Sequence, residues 1–568
     1  MERTISVSDL GVSVSQGPVV VDLSSNLQGV THSSAVQLLV QTCAGLFNRD
    51  SSPPGTPEVY TLGTADNLID GLWLADLEGW VPELTFVGTF IDDCMNSLSS
   101  GYFLFDYEDQ KSLIPNIITL AGVTGALPID KSLADTLKIP NTLELQFDLT
   151  REWRFHTPLS ATREVYAKYL NQTTGLAMIN PGYDHKMGVL HPPLTREPDM
   201  RLVDFVVKEK LFALYLNVGC IPGTREHALL NEITSRNTFP KPTPVYGYDD
   251  TVPLFGGDTF EAETNCVAAH NLGQIASVGF NNMAYFSKGR HQISKPLSQP
   301  EDPDTDLEFD ASLTYVALVI GDGDNLLFLK NRNYLWTKAR RARCSIDPES
   351  TKLCFPLTWT ISPRALQVIP QMVQYFYDFA HETGRDFFSL PPSGDLYSYP
   401  SMMREEDQGT YVDTVIDDFD FLDVSTSVHW EWFYSWRKAI DVYFPKFSAR
   451  IGISRSVGFF LTNVPFDIPL LLFGPKEDFK IVGENENVVL FKPNEWRGVD
   501  GKTREAPTVT QMAAKINGAD RGTLRGIYLT SDGGASIDSL YKLVDELEEH
   551  VVIVSGDTLV KLAIQKGV

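Results

Sequence analysis

An α/β fold, with a (β/α) barrel-like carboxyl-terminal domain behind an amino-terminal α/β domain, is predicted by three features of this 568-residue sequence. Short apolar runs rich in β-branched and aromatic residues alternate with helix-like periodicity, which means parallel strands covered by helices. The number of runs after residue 240 suits a barrel, with a doubly wound open sheet as second choice. A proline-rich seam, Phe239-Pro240-Lys241-Pro242-Thr243-Pro244, fits neither a helix nor a central strand and divides the chain into residues 1–240 and 241–568.

The first domain mixes candidate strands at 19–23 and 58–62 with helical segments at 34–46 and 199–216. Its glycines, Gly29, Gly45 and Gly63, are too scattered for a dinucleotide loop, and no phosphate-binding G-x-x-x-x-G-K-[ST] occurs. Beyond the seam, strands are expected at 245–248, 275–280, 315–320, 355–361, 386–390, 421–424, 459–461, 488–491, 526–529 and 551–554. Between the fourth and fifth, Pro370 opens a helix with Val373, Phe376, Tyr377 and Ala380 on one face, stopped by Gly384. Near the end, Ser536 caps a helix carrying Ile537, Leu540, Leu543, Val544 and Leu547 at the same period. The acidic, proline-bearing stretch 295–306 reads as a surface loop.

Charge narrows the partners. Lys and Arg number 47 against 73 Asp and Glu, a net charge of −26, which opposes binding to phosphate backbones or anionic lipid, so neither nucleic acid nor membrane is expected. The basic run Lys338-Ala339-Arg340-Arg341-Ala342-Arg343 reads as a solvated helix face. Six cysteines without C-x-x-C spacing, only Cys266 having a nearby histidine in His270, predict no structural zinc, and so few in so long a chain predict no disulfide scaffold. With no apolar signal region and no membrane-length apolar stretch, the expected location is cytoplasmic.

The segment with most chemical content is Gly321-Asp322-Gly323-Asp324-Asn325, which closes the apolar run Tyr315-Val316-Ala317-Leu318-Val319-Ile320. A strand-ending turn needs one acidic residue at most. Two aspartates spaced i, i+2 repel each other unless a cation, proton or substrate offsets them, and they stand where α/β proteins place their sites.

Downstream, Pro391-Pro392-Ser393-Gly394-Asp395-Leu396-Tyr397-Ser398-Tyr399-Pro400 resembles the signature of the GxGYxYP family of putative glycoside hydrolases. The order of other segments agrees: Ala44-Gly45-Leu46-Phe47-Asn48-Arg49 is similar to that family's amino-domain segment, Asp322-Gly323-Asp324-Asn325 to its D-G-D-N strand end, and Thr358-Trp359-Thr360-Ile361-Ser362-Pro363 to the strand before its helix. One departure is Leu396, which stands at the family's second glycine, where a leucine would alter pocket shape if the glycine admits close approach of a ligand. The resemblance implies a barrel-like catalytic domain acting on carbohydrate, with no cofactor.

Glycosidic cleavage ordinarily uses two carboxyl groups. Asp322 and Asp324 supply one side, and Glu431, in Ser427-Val428-His429-Trp430-Glu431-Trp432-Phe433, is expected to supply the other as a catalytic group. If extended, this segment places His429 and Glu431 on one face and Trp430 and Trp432 on the other, so either the acid or the sugar-stacking rings face a cleft. Asn325, Asp395, Tyr397, Tyr399, His429, Trp430 and Trp432 are the candidate substrate-binding residues, with Asp249, Asp250, Glu261, Asn281, Asn282 and Glu495 near the same rim and Trp359 in the core. In an alternative reading Asp322, Asp324, Asn325 and His429 hold a divalent metal for carbohydrate deacetylation. In another the chain binds carbohydrate without turning it over.

Overall fold

Short apolar runs give the amino-terminal half three small parallel sheets, each built outward from its first strand. The computed structural model describes residues 18–567 apart from 25–33, 54, 64–66, 79–83, 185–192, 217, 237–238, 240, 248–263, 265, 290–291, 433, 454, 463–471, 475, 504–505 and 531–533. Strand β1 (Val19–Asp22) lies between β2 (Val59–Leu62) and β3 (Leu84–Phe86), and β4 (Tyr102–Phe105) lies between β5 (Leu127–Asp130) and β6 (Leu145–Asp148). In the third sheet β7 (Leu176–Met178) lies between β8 (Phe212–Leu214) and β9 (Thr243–Tyr246), with β10 (Leu272–Ile275) beyond β9. The seam, expected to fit no central strand, ends inside one: β9 takes in Thr243 and Pro244 and lies between β10 and β7, the latter preceding the seam. The Ala44-to-Arg49 segment is structural. Asn48 brackets Val59 of β2 with two side-chain hydrogen bonds of 2.8 and 2.9 Å, and Arg49 donates to the Val207 carbonyl at 2.8 Å.

The carboxyl-terminal half contains β11 (Thr314–Ile320), β12 (Leu357–Thr360), β13 (Asp386–Ser389), β14 (Thr426–His429), β15 (Val457–Leu461), β16 (Phe479–Val482), β17 (Val488–Phe491), β18 (Glu495–Trp496), β19 (Leu524–Leu529) and β20 (Val551–Ile553). One sheet runs β13-β12-β11-β19-β18, with β20 also on β11; the other runs β14-β15-β17-β16, in which β16 alone is antiparallel. Strand β11 is buried at every position, which is why it reads as one unbroken apolar run.

The expected barrel is corrected here, because no closed sheet forms among the described residues. A single parallel bridge, Leu390 with Ser427, joins the sheets on one side before Pro391 and Pro392 end the strand. On the other, β17 and β18 belong to different sheets, separated by a segment in which Pro493 has no N–H to donate. Three expected elements also shift. Residues 421–424 are the end of the helix Glu405–Phe421 and its exit, and the strand follows at β14, because Phe419 and Leu422 continue a helical face. The 275–280 run is the exit of β10, and 199–216 divides into the helix Val203–Glu209 and β8.

The halves are locked by a buried ion pair. Lys330, in the one-turn π-helix Leu329–Asn333, meets Asp70 of the helix Asn67–Glu78, and both side chains are 0% exposed. Trp73 of the same helix donates to the Lys330 carbonyl at 2.8 Å. Contrary to expectation, all six cysteines are paired, as Cys43–Cys94 and Cys220–Cys266, 51 and 46 residues apart, and Cys344–Cys354, 10 apart, spacings that form no recognisable motif. Arg340, read as part of a solvated face, is buried between Asp386 and the Phe355 ring. Among the described residues no helix is long and apolar enough to cross a membrane.

Candidate active site

The strands β11, β12, β13, β18 and β19 run parallel, so their carboxyl ends share one rim, and the Leu390–Ser427 bridge brings β14 in with the same sense. Close packing dictates the two glycines of the loop that leaves β11. A Cβ on Gly321 would come within 2.5 Å of the Tyr528 hydroxyl, and one on Gly323 would overlap the Thr360 carbonyl. Gly323 also donates its N–H to the Thr360 hydroxyl at 2.9 Å. Between them Asp322 adopts a left-handed backbone, φ 62°, a conformation that aspartate tolerates better than most residues.

The two aspartates are treated differently by their surroundings. Asp322 accepts from the Arg332 guanidinium at 3.0 Å, and the Tyr528 hydroxyl approaches both its backbone N–H, at 3.1 Å, and its Oδ1, at 3.3 Å. Asp324 gains no such cation. Removal from water, and then the charge of Asp322, push its carboxyl up to about 8. Arg332 is itself fixed, sandwiched between the Phe328 and Trp336 rings at 5.1 Å from each and donating to the Gly321 carbonyl at 2.5 Å. It projects from the same π-turn as Lys330, an irregularity that is frequent at functional sites. Arg497 pairs with Glu495 at the β18 end and lies 5.6 Å from the Trp430 ring, while Trp430 meets Tyr397 edge-on at 5.3 Å.

Alternation after β14 therefore resolves in favour of the rings. Trp430 and Trp432 join the aromatic cluster with Tyr397, Tyr399 and Tyr528, whereas Glu431 points away. Its carboxylate is 0% exposed: Oε1 accepts from the Ser401 N–H at 2.9 Å and hydroxyl at 2.6 Å and lies 3.1 Å from His429 Nε2, and Oε2 accepts from Ser435 at 2.9 Å. His429 is enclosed by Tyr443, Phe444 and Phe459. Glu431, expected as a catalytic group, and His429 are thus both enclosed and hydrogen-bonded to each other. His429, of the alternative metal set, pairs with Glu431, and Asp322 Oδ2 accepts from Arg332.

The remaining candidates divide between site and scaffold. Asn325 caps the short helix after the loop, accepting from the Leu327 N–H at 3.0 Å. Asp395 is buried against Arg364 at 2.5 Å, yet burial still raises its carboxyl above the usual range; its neighbour Asp418 is raised further, by burial and then by Asp395. Tyr397 pairs through its backbone with Gln274 of β10, stitching the Gly394-to-Pro400 segment to the third sheet. Ser393 holds the Trp430 backbone through two hydrogen bonds of 2.9 Å. Asn281 and Asn282 instead hold Thr61 of β2, and Trp359 is core, donating to Asp386 at 2.8 Å. Asp249, Asp250 and Glu261 lie outside the described residues. Leu396 does not face a pocket: it is buried against β10, and a Cβ on Gly273 would come within 2.5 Å of its own Cβ. Sequence reasoning missed Arg332, Tyr528 and Arg497. Only Arg332 had a local signal, about two helical turns beyond the acidic loop.

Comparison with known proteins agrees with this architecture. A crystal structure described as a putative hydrolase from Bacteroides thetaiotaomicron superposes with a TM-score of 0.67 at 18% identity, covering 97% of this chain and 95% of that one, which shows a shared fold. No curated protein matches the chain. Residues 312–455, the stretch holding the acidic loop, the Gly394-to-Pro400 segment and the two tryptophans, match the family model described as GxGYxYP putative glycoside hydrolase C-terminal domain.

Proposed function

We propose that the protein is a glycoside hydrolase, with Asp324 as the proton donor to the leaving oxygen and Asp322 as the ionised carboxylate of the same site. The observation that carries this reading is the split between the two: one carboxylate held by Arg332 and Tyr528, the other protonated near neutrality by burial and by its neighbour. A carboxyl kept protonated by burial, beside a second carboxylate held by a guanidinium, is the arrangement a proton donor and its partner require. Trp432, partly exposed where it packs against the buried Trp430, Tyr397 and Tyr399, offers a flat apolar face to sugar C–H groups, and Glu495 with Arg497 supplies hydrogen-bonding groups across the rim. The family description and the hydrolase name of the structural neighbour support hydrolysis, and the carbohydrate substrate rests on the family description.

Turnover of a glycan panel tests the assignment. Asp324→Asn and Asp322→Asn are each expected to lower kcat about 1,000-fold or more, the range in which acid–base and electrostatic groups act, while leaving the melting temperature within a few degrees. Product release at undiminished rate by both variants would overturn it. Three disulfides support folding in an oxidising compartment in place of the cytoplasmic location expected from the sequence.

A further inference from the structure

Asp322 and Asp324 leave β11 two residues apart on one loop, so both meet a bound substrate from one side. Hydrolysis of a glycoside uses a carboxyl group on each side of the scissile bond. Strand register shows what stands opposite. Val319 of β11 is level with Tyr528 of β19, and Tyr528 is level with Glu495 of β18, so these three side chains share one face of the sheet. Val319 and Tyr528 belong to the cluster that also holds Val428, Phe460 and Phe491 from the second sheet, so it is the face that the two sheets turn toward each other. Trp496, next to Glu495, lies in the other core, as strand alternation requires.

Resting on the glycosidic reading, we propose that Glu495 is a further catalytic residue, the general base that activates water on the side of the substrate opposite Asp324. Two strand spacings, about 10 Å, separate β11 from β18, and side chains reaching inward narrow that gap toward the roughly 6.5–9.5 Å that leaves room for a water. Asp322 is engaged at both oxygens, by Arg332 and by Tyr528, and serves as the fixed charge beside Asp324. Glu495 pairs through Oε2 with Arg497, and its side chain keeps 11% of its surface open where Glu431 keeps none. Arg497 links the two sides: burial opposes its charge, yet Glu495, and after it Tyr528 and Asp322, hold the guanidinium above its ordinary value. In the step, Glu495 takes a proton from water as the water oxygen bonds to the anomeric carbon. The bond from that carbon to the leaving oxygen breaks, and the oxygen keeps the electron pair and takes the Asp324 proton. Water is consumed, the anomeric configuration inverts, and solvent returns both carboxyl groups to their starting states.

Turnover of 4-nitrophenyl α- and β-glycosides of D-glucose, D-galactose, D-mannose and D-xylose by the full chain tests this. On whichever is cleaved, Glu495→Gln is expected to lower kcat about 1,000-fold. Asp324→Asn is expected to lose less on these than on the matching disaccharide, because nitrophenolate leaves without a proton. Glu495→Ala is the second variant, with sodium azide as a nucleophile that needs no base: it is expected to regain turnover and to release a glycosyl azide of inverted configuration, seen by proton NMR. Undiminished turnover in Glu495→Gln, no azide product from Glu495→Ala, or retained configuration in the wild-type product overturns the role of Glu495 and leaves that of Asp324 standing. Release of nitrophenol from none of the glycosides by the wild-type chain overturns the glycosidic reading, and the role of Glu495 with it.

Discussion

Asp324 carries its charge at a cost, and that cost has a sign. A carboxyl whose folded value lies near 8 binds a proton that the unfolded chain releases near 4, so between those limits the native state holds more protons and stability falls as pH rises. The penalty is absent below about pH 4 and complete above about pH 8. Replacing Asp324 by Asn is therefore expected to raise stability at pH 8.5 relative to pH 5, by on the order of 1–2 kcal/mol after allowing for its residual contact with solvent, in paired urea titrations. Activity should run the other way, with kcat falling as pH climbs through about 8 and the donor loses its proton. Glu431 contrasts with it. A glutamine amide in its place cannot accept from Ser401 and Ser435 with both ends, so Glu431→Gln is expected to cost about 1–3 kcal/mol in urea unfolding. Lost turnover at full stability would instead return Glu431 to the chemistry. At this scale the sequence showed which residue types were present and where strands ended. It could not show which face of the Trp430-to-Trp432 segment pointed inward, because alternation fixes relation and not direction.

Elements were legible where one physical signal dominated. The β11 run, the Pro370–Thr383 helix between its proline and Gly384, and β17 were all readable from apolar period and punctuation. They blurred where a helix ran apolar into its own exit, as at Phe421-Leu422, since an isolated apolar pair belongs equally to either structure. The Leu396 departure is settled at this scale too. Its side chain fills the space above Gly273, so residue 273 and residue 396 form one packing unit between β10 and the Gly394-to-Pro400 segment. Gly273→Ala is expected to destabilise by about 1–3 kcal/mol through overpacking, and Leu396→Gly, which removes the clashing Cβ, to lessen that cost when combined with it. A double-mutant cycle by chemical denaturation should give a coupling of at least about 1 kcal/mol, and simple additivity would show that the two do not share the space.

For the whole molecule, the proline-rich seam was visible in the sequence, but not that its last residues enter a strand, nor the pairings between distant segments. Strand β9 against β7, Gln274 against Tyr397, and Lys330 against Asp70 all join segments distant in sequence, and nothing local announces them. The same holds for the disulfides, whose cysteines carry no motif. Breaking the buried ion pair leaves one charge without its partner, so Asp70→Asn is expected to lose about 3–5 kcal/mol, measured by thermal or urea unfolding of the full chain.

The π-turn carries Lys330 and Arg332 two residues apart, one gripping the amino-terminal half and the other the Asp322 carboxylate. The stretch matching the family therefore does not stand alone. Cut free at its own boundaries, it would leave the Lys330 ammonium without Asp70 and Asp322 without the Tyr528 hydroxyl, so an excised fragment would be an unsound stand-in for the intact chain in any assay of the rim.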